Sequence, residues 1–476
     1  MLACPTVKRR LLVSLAALLF VSTPWVAAAA DETPEGLVEA TRQRLAELVA
    51  HDTVNPPGNE RALCDAVAEQ LRAEGIEVEV LGPEGPRANL LARLPASRRT
   101  GKAPLLIVAH IDVVNFRREA WTTDPMTLTE REGYLYGRGV IDNKGMASAG
   151  IEILLRLHRD RVPLERDVVL LLAADEEAGG RDGTAWLLKH HPQWLQAAYV
   201  LNEGGDVRIV GDKVAYVGLQ TTEKISRKLR LIAKGQDGHS SMPLPDNAIA
   251  RLGLATAAAA EVEFPMRTLA TTRVFAEGVA DTLPAPLGDA VSAMGTVQPG
   301  ATVPESVVQV LQTDPFFNAF YRTTCVPTLI DGGTRSNALP SEAVTTINCR
   351  LLPDESLQDV AASLEQAIAP FSVELQYSDK AKVSPVSPES GAFFRASREA
   401  VASVWPGAVV VPFMSTGGTD CRRFRTAGTP CYGLLPFPLT AEDERRMHGT
   451  DERLTVEALG EGVRFLWRLV LGLAAR

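Results

Sequence analysis

Three short apolar runs set the strongest limit on what this chain can fold into. They are APLLIVAH at 103–110, DVVLLLAAD at 167–175 and AAYVLNE at 197–203. Each is rich in Val, Leu and Ile without polar alternation, as strands are when helices cover both faces of their sheet. The stretches between them, Met146 to His158 and Gly183 to His190, carry helical patterns. Buried strands alternating with helices predict an α/β domain built on a mostly parallel sheet.

Near residue 218 the texture changes. KISRKLRLIAKG (224–235) and EAVTTINCRLLP (342–353) alternate polar with apolar residues, which suits antiparallel strands with one wet face. Between them lie an Ala-rich helical segment and a looser, proline-containing stretch from Phe264 to Pro327. After about Lys382 the first texture returns, through VVVPFMSTGG and CYGLLPF, and closes with a helix from Thr455. The expected organisation is one α/β domain, residues 31–217 and 383–476, interrupted by a smaller α+β insertion at 218–382. From Glu35 to Leu81 an amphipathic pattern, broken by the Pro-Pro-Gly of TVNPPGNE, predicts two helices.

The first thirty residues have a separate logic. Lys8, Arg9 and Arg10 precede an apolar run from Leu11 to about Phe20, and Ala27 to Ala30 follow. That order predicts a secretory signal peptide cleaved near Ala28–Ala30, with an uncleaved anchor as the alternative. No later segment reaches the roughly 18 apolar residues of a membrane span, so the mature protein is expected in the periplasm or outside the cell. A formal charge of -9 argues against a nucleic-acid partner, which demands a basic face. Removal of the signal leaves Cys64, Cys325, Cys349, Cys421 and Cys431, with no CxxC pair. A thiolate metal site is therefore not expected. Cys325 with Cys349 and Cys421 with Cys431 are the pairs to consider, and sequence chooses neither.

Chemistry collects at the ends of the apolar runs. His110 closes the first, with Asp112 two residues on; residues so spaced in extended chain point the same way, and a carboxylate there can fix an imidazole for metal binding. The next run leads into DEEAGG with Glu176 and Glu177, and the third into NEGG with Glu203. Parallel sheets bind ligands along that edge. Between the first two runs lies YLYGRGVIDNKG, whose glycines suggest either a phosphate cradle or a turn that presents Asp142 to a metal. It lacks the spacing of a phosphate loop, and Lys144 is followed by Gly145 with no Ser or Thr. The metal reading remains. MHGTDE adds His448 in a polar loop, whereas His158, His190 and His191 lie in helical stretches and read as surface residues.

Taken in order, TVNPPGNE, HIDVV, GRGVIDNKG, DEEAGG, NEGG, GHSSMP, SNALP, STGGTD and HGTDE resemble metallopeptidase family twenty, from about residue 53 to 451. That group holds aminoacylases, glutamate carboxypeptidases and succinyl-diaminopimelate desuccinylases. The long insertion resembles its vacuolar carboxypeptidase S and N-acyl amino acid hydrolase branch. The resemblance implies a di-zinc exopeptidase fold with a lid or dimerisation domain. It implies two zinc ions, or cobalt or manganese in their place, with His110 and Glu203 on one, Glu177 and His448 on the other, and Asp142 bridging. It also implies that Asp112 orients His110, that Glu176 is the general base and that His239 stabilises the oxyanion, often from a partner subunit. Asn337, Arg350, Gly417 and Gly418 match positions that contact a substrate carboxylate.

Asn143, Asn115 and Asp451 depart from common family residues, and none of them removes a ligand. The expectation is a hydrolase that cleaves the amide next to a free carboxylate in short peptides or N-acyl amino acids, acting as a homodimer through the insertion. The alternatives are a non-catalytic binding protein of the same fold and an aminopeptidase. The match at Arg350 argues against the aminopeptidase, which would have to capture a free amine.

Overall fold

A computed structural model describes Met1 and residues 33–98, 100–378 and 383–475. The predicted signal segment and the boundary near Lys382 lie outside the described residues. The three apolar runs are strands Leu105–His110, Val168–Ala173 and Tyr199–Asn202, and the first lies between the other two in parallel. They sit in a ten-stranded sheet whose remaining members include Lys213–Glu223, Val409–Ser415 and Cys431–Gly433. Every side chain of Leu105–His110 and Val168–Ala173 is buried, which is the physical reason for their unbroken apolar sequence.

Helix Lys144–Arg159 packs against this sheet, and Gly150 lets it approach Leu170 and Ile107. The closing helix Val456–Ala474 packs on Ala392–Val404, with Thr455 capping it by accepting from the N–H of Ala458. Among the described residues, no helix is long and apolar enough to cross a membrane.

A second, four-stranded antiparallel sheet contains Ile225–Lys234 and Glu342–Leu351, paired along their length, with Thr324–Gly332 on one edge and Glu374–Tyr377 on the other. Helices Ala248–Ala260 and Leu357–Ile368 cover its apolar face. Both cysteine pairs are bridged: Cys325–Cys349 links directly opposed strand residues, and Cys421–Cys431 closes the turn beside the large sheet. Cys64 is buried and free.

Two expectations change. The pattern ending at Leu81 finishes as a strand, Glu77–Leu81, because Gly75 with φ +82 stops the preceding helix and Val78 turns into the core. The stretch from Phe264 is mostly helical, with helices Ala270–Val279, Leu287–Thr296, Glu305–Leu311 and Pro315–Tyr321. Three of its prolines, Pro286, Pro304 and Pro315, start helices instead of breaking them. Pro315 opens the last helix and Asp314 caps it, accepting from the N–H groups of Phe316 and Phe317. Ala270–Val279 packs on the large sheet, Leu287–Thr296 packs on that helix and Glu305–Leu311 on Leu287–Thr296. Phe275, Phe320 and Phe413 form one aromatic cluster between the first and last helices and the sheet.

Candidate metal centre

The glycine turn after Tyr136 is held from behind. Glu452, fully buried, accepts from the N–H groups of Gly139, Ile141 and Asp142 and from the Arg138 guanidinium at 2.7–3.1 Å. A side chain at Gly145 would run into the carbonyl of Val140, so the turn can close only with glycine there. Lys144 is buried and its Nζ donates to the carbonyl of His51, 2.8 Å away, which takes it out of any phosphate site. What the turn offers to the cavity is Asp142.

Around Asp142 the predicted ligands converge. His110 Nε2 lies 2.7 Å from Asp142 Oδ1 and 3.2 Å from Glu203 Oε2. His448 Nε2 lies 3.0 Å from Asp142 Oδ2 and 3.1 Å from Glu177 Oε2. The arrangement thus has two halves, His110 with Glu203 and His448 with Glu177, joined through the two oxygens of one carboxylate. His110, Glu176 and Glu203 also bring donor atoms within 4.8 Å of one another.

Asp112 acts differently from a simple His–Asp pair. Its backbone carbonyl meets His110 Nδ1 at 3.0 Å, while its carboxylate stands 3.4 Å off. The carboxylate accepts instead from the N–H groups of Glu176 and Glu177, at 3.1 Å each, and from Asn55 at 2.8 Å. It therefore anchors the DEEAGG turn as well as the imidazole.

The charges explain one another. Burial, with Glu203 beside it, pushes the Glu176 carboxyl well above its usual range. Burial raises Glu203 to about 7 and raises Glu177 as well. Burial opposes charge on His110, yet Glu203, Asp112 and Asp142 hold it well above the ordinary imidazole range. Hydrogen bonds to Asp142 and Glu177 raise His448 to about 10. Asp142 is held well below the usual carboxylate range by both imidazoles, against the effect of burial. Four carboxylates in one cavity need cationic partners, and Glu177 Oε1 is buried without any hydrogen-bond partner. A donor set of imidazoles and carboxylates with an orphaned oxygen fits divalent metal of the zinc, cobalt or manganese kind.

The cavity, about 310 Å³, is lined by Asp142, Glu176, Glu177, Glu203 and His448 together with Thr416, Gly417, Gly418 and Thr419 and an apolar wall of Phe316, Phe413, Leu435 and Met447. Arg350 lies beside it, its guanidinium 3.8 Å from where a Cβ on Gly418 would stand. Burial lowers the Arg350 pKa, with Glu223 and Glu176 opposing that shift. His239 and Asn337 are brought together elsewhere. Gly238–His239 pairs with Ala338–Leu339, and the Ser240 N–H donates to the Asn337 carbonyl. Both residues are exposed and neither lines the cavity. Sequence reasoning quoted the motifs holding Glu452 and Asn55 without giving either a role, and it missed Phe316 altogether. The glutamate that follows Asp451 in HGTDE was the available signal for Glu452.

Imidazoles and carboxylates gathered at the carboxyl edge of a parallel sheet define a metal-dependent hydrolase of the α/β class. The model of peptidase family M20/M25/M40 matches residues 106–472, and this chain belongs to that family of hydrolytic enzymes. It is 31% identical over 379 residues to the N-fatty-acyl-amino acid synthase/hydrolase PM20D1 of Xenopus tropicalis, covering 77% of this chain and 72% of that protein. It is 28% identical over 377 residues to the probable carboxypeptidase S-like 2 of Dictyostelium discoideum, covering 77% and 71%. Among solved structures, the M20 family metallo-carboxypeptidase Sso-CP2 from Sulfolobus solfataricus shares the fold with a TM-score of 0.69 at 17% identity, over 90% of this chain and 98% of that one.

Proposed function

We propose that the chain is an exported amidohydrolase with two zinc ions, cleaving the amide bond next to a free carboxylate in N-acyl amino acids or short peptides. The observation that carries this reading is the sharing of Asp142 between His110 and His448, with Glu203 and Glu177 on either side. In this reading His110 and Glu203 hold one ion, Glu177 and His448 hold the other, and Asp142 bridges. When bound, such a metal pair polarises the scissile carbonyl and makes a water acidic near neutral pH.

The chain's own groups do the rest. Glu176 takes the proton of the attacking water and passes it to the leaving amine, a task that suits a carboxyl raised by burial. Asp112 holds His110 and the backbone that carries Glu176. Arg350 takes the substrate carboxylate with its two-pronged guanidinium, aided by Asn337, while Gly417 and Gly418 let the backbone come close. The apolar wall of Phe316, Phe413, Leu435 and Met447 supports an acyl group on the other side of the scissile bond, in keeping with the activity named for the Xenopus relative.

His239 and Asn337 enter from a second copy in this reading. Their exposed hairpin supports it, as do Val326, Leu329 and Ile330, exposed on the edge strand Thr324–Gly332. A homodimer through the inserted segment covers that edge. Export is supported by the charged, apolar and small-residue order of the first thirty residues, and by the two disulfides, which suit an oxidising compartment.

The test is amino-acid release by purified protein from a matched panel of N-acyl amino acids and dipeptides, with and without chelator. Chelator-sensitive release, stronger from the acylated half, is the expected result. No release from any member by protein with zinc bound would overturn the reading.

A further inference from the structure

The segment NPPGNE, residues 55–60, lies outside the ligand set, yet Asn55, Pro57, Gly58 and Glu60 all close on one side chain, that of Arg87. Arg87 donates to the Asn55 side-chain Oδ1 at 2.7 Å and to the Pro57 carbonyl at 2.8 Å. Its guanidinium lies 2.7 Å from where a Cβ on Gly58 would stand, and Gly58 has φ +84, so only glycine leaves the space. Glu60 is wholly buried 3.5 Å from the same guanidinium, and neither of its carboxylate oxygens has a hydrogen-bond partner. The loop is a socket for one arginine.

From that socket two arms reach the metal centre. Asn55 Nδ2 donates to Asp112 Oδ2 at 2.8 Å and to Asp175 Oδ1 at 3.2 Å. Arg87 itself donates to Asp175 Oδ1 at 2.7 Å. Asp175 precedes Glu176 directly and holds φ +65, a backbone state that needs outside support in a residue other than glycine. Asp112 receives the N–H groups of Glu176 and Glu177. The sense of the Asn55 amide follows from its neighbours: a guanidinium only donates and a carboxylate only accepts, so Arg87 fixes the amide with its N–H groups toward both aspartates.

We infer that Arg87 is a positioning residue for the metal centre, acting through Asn55 and Asp175 to hold Asp112, His110 and the Glu176–Glu177 turn in their working arrangement. The inference rests on the proposed ligand set, since its effect is read at the His110 half of that set. Arg87 touches neither a ligand nor the cavity. Its contribution is orientation: without it the Asn55 amide is free to turn, and Asp112 Oδ2 loses one of its two donors, keeping only the Glu177 N–H.

The experiment compares wild type with Arg87→Met, Arg87→Lys and Asn55→Ala by zinc affinity in competition with a chromogenic chelator, alongside kcat, KM and thermal stability. Outer-shell losses of this kind typically weaken metal binding about 10- to 100-fold, and Arg87→Met and Asn55→Ala are expected in that range. kcat is expected to fall with KM little changed. Lysine restores charge without the fork, so Arg87→Lys should stay close to Arg87→Met.

The double variant Asn55→Ala, Arg87→Met should lose less zinc affinity than the two single losses combined, because the Asn55 arm is already gone in either. Any loss beyond Asn55→Ala measures the direct Arg87–Asp175 arm. Wild-type zinc affinity and kcat in the Arg87 variants, with only stability reduced, would overturn the inference, as would fully additive losses in the double variant. Should Arg87→Met fail to fold, Arg87→Lys and Asn55→Ala carry the same readings. Failure of the wild type to bind zinc at all would instead strike the proposed ligand set.

Discussion

Asp142 Oδ2 lies 3.0 Å from His448 Nε2, although 306 positions separate the two residues. The pairing holds His448 protonated to about pH 10 while no metal is present. A ligating imidazole must be neutral, so uptake of metal has to expel that proton and the one on His110, which is also raised. The sign is therefore fixed: zinc affinity of the metal-free protein rises with pH across the neutral range, by about tenfold per unit for each proton released. Calorimetry in buffers of different ionisation heat measures the count, and identical heats in all of them would contradict it. In the same metal-free protein, the stability that His448 contributes is complete below about 6.5 and is lost as pH rises through about 10.

Glu176→Gln keeps the shape of the cavity and removes the proton acceptor. General acid–base groups typically contribute about 10²- to 10⁴-fold, so kcat should fall by that much with two zinc ions still bound. Metal analysis beside turnover decides it. Loss of zinc in this variant would make Glu176 a ligand, which its place within 4.8 Å of His110 and Glu203 donors makes the right rival to exclude.

Much of this was legible in the sequence, for particular reasons. The strands ending at His110, Ala173 and Asn202 are buried on both faces, so their sequences are nearly pure Val, Leu and Ile, and the chemistry after each stands out. The helices from Ala270 to Tyr321 were not legible. Their caps and prolines look like loop composition, and the surface they bury is on the sheet strands Lys213–Glu223 and Val409–Ser415, far away in sequence. Arg87 was hidden for a similar reason, since its partners at 55, 57, 60 and 175 come from separate turns.

Glu452 offers a test of how the Asp142 turn is built. Its carboxylate is the acceptor for the N–H groups of Gly139, Ile141 and Asp142 and for buried Arg138. Glu452→Ala leaves Arg138 buried without its counter-charge and three amides without an acceptor. Breaking a buried pair in this way costs about 3–5 kcal/mol, and Asp142 should lose its position with the turn. Denaturation should show the lower stability, and metal titration should show weakened binding in both halves, because Asp142 serves both. Full zinc affinity in a destabilised variant would mean that Asp142 is held by the ligands themselves.

His239 and Asn337 sit on an exposed hairpin and do not line the cavity of their own chain. If a second copy supplies them, two dead variants must be able to repair one another. His239→Ala keeps a complete base and ligand set, and Glu176→Gln keeps a working hairpin. In a hybrid dimer the His239→Ala chain receives His239 from its partner, so one of its two sites is whole. Co-expression in equal amounts gives hybrids as half of all dimers, and activity should return to about a quarter of wild type. Zero recovery from hybrids shown to form by tagged pull-down would place His239 in its own chain's site, reached by a lid movement. A monomer by sedimentation with full activity would remove the second copy from the reaction altogether.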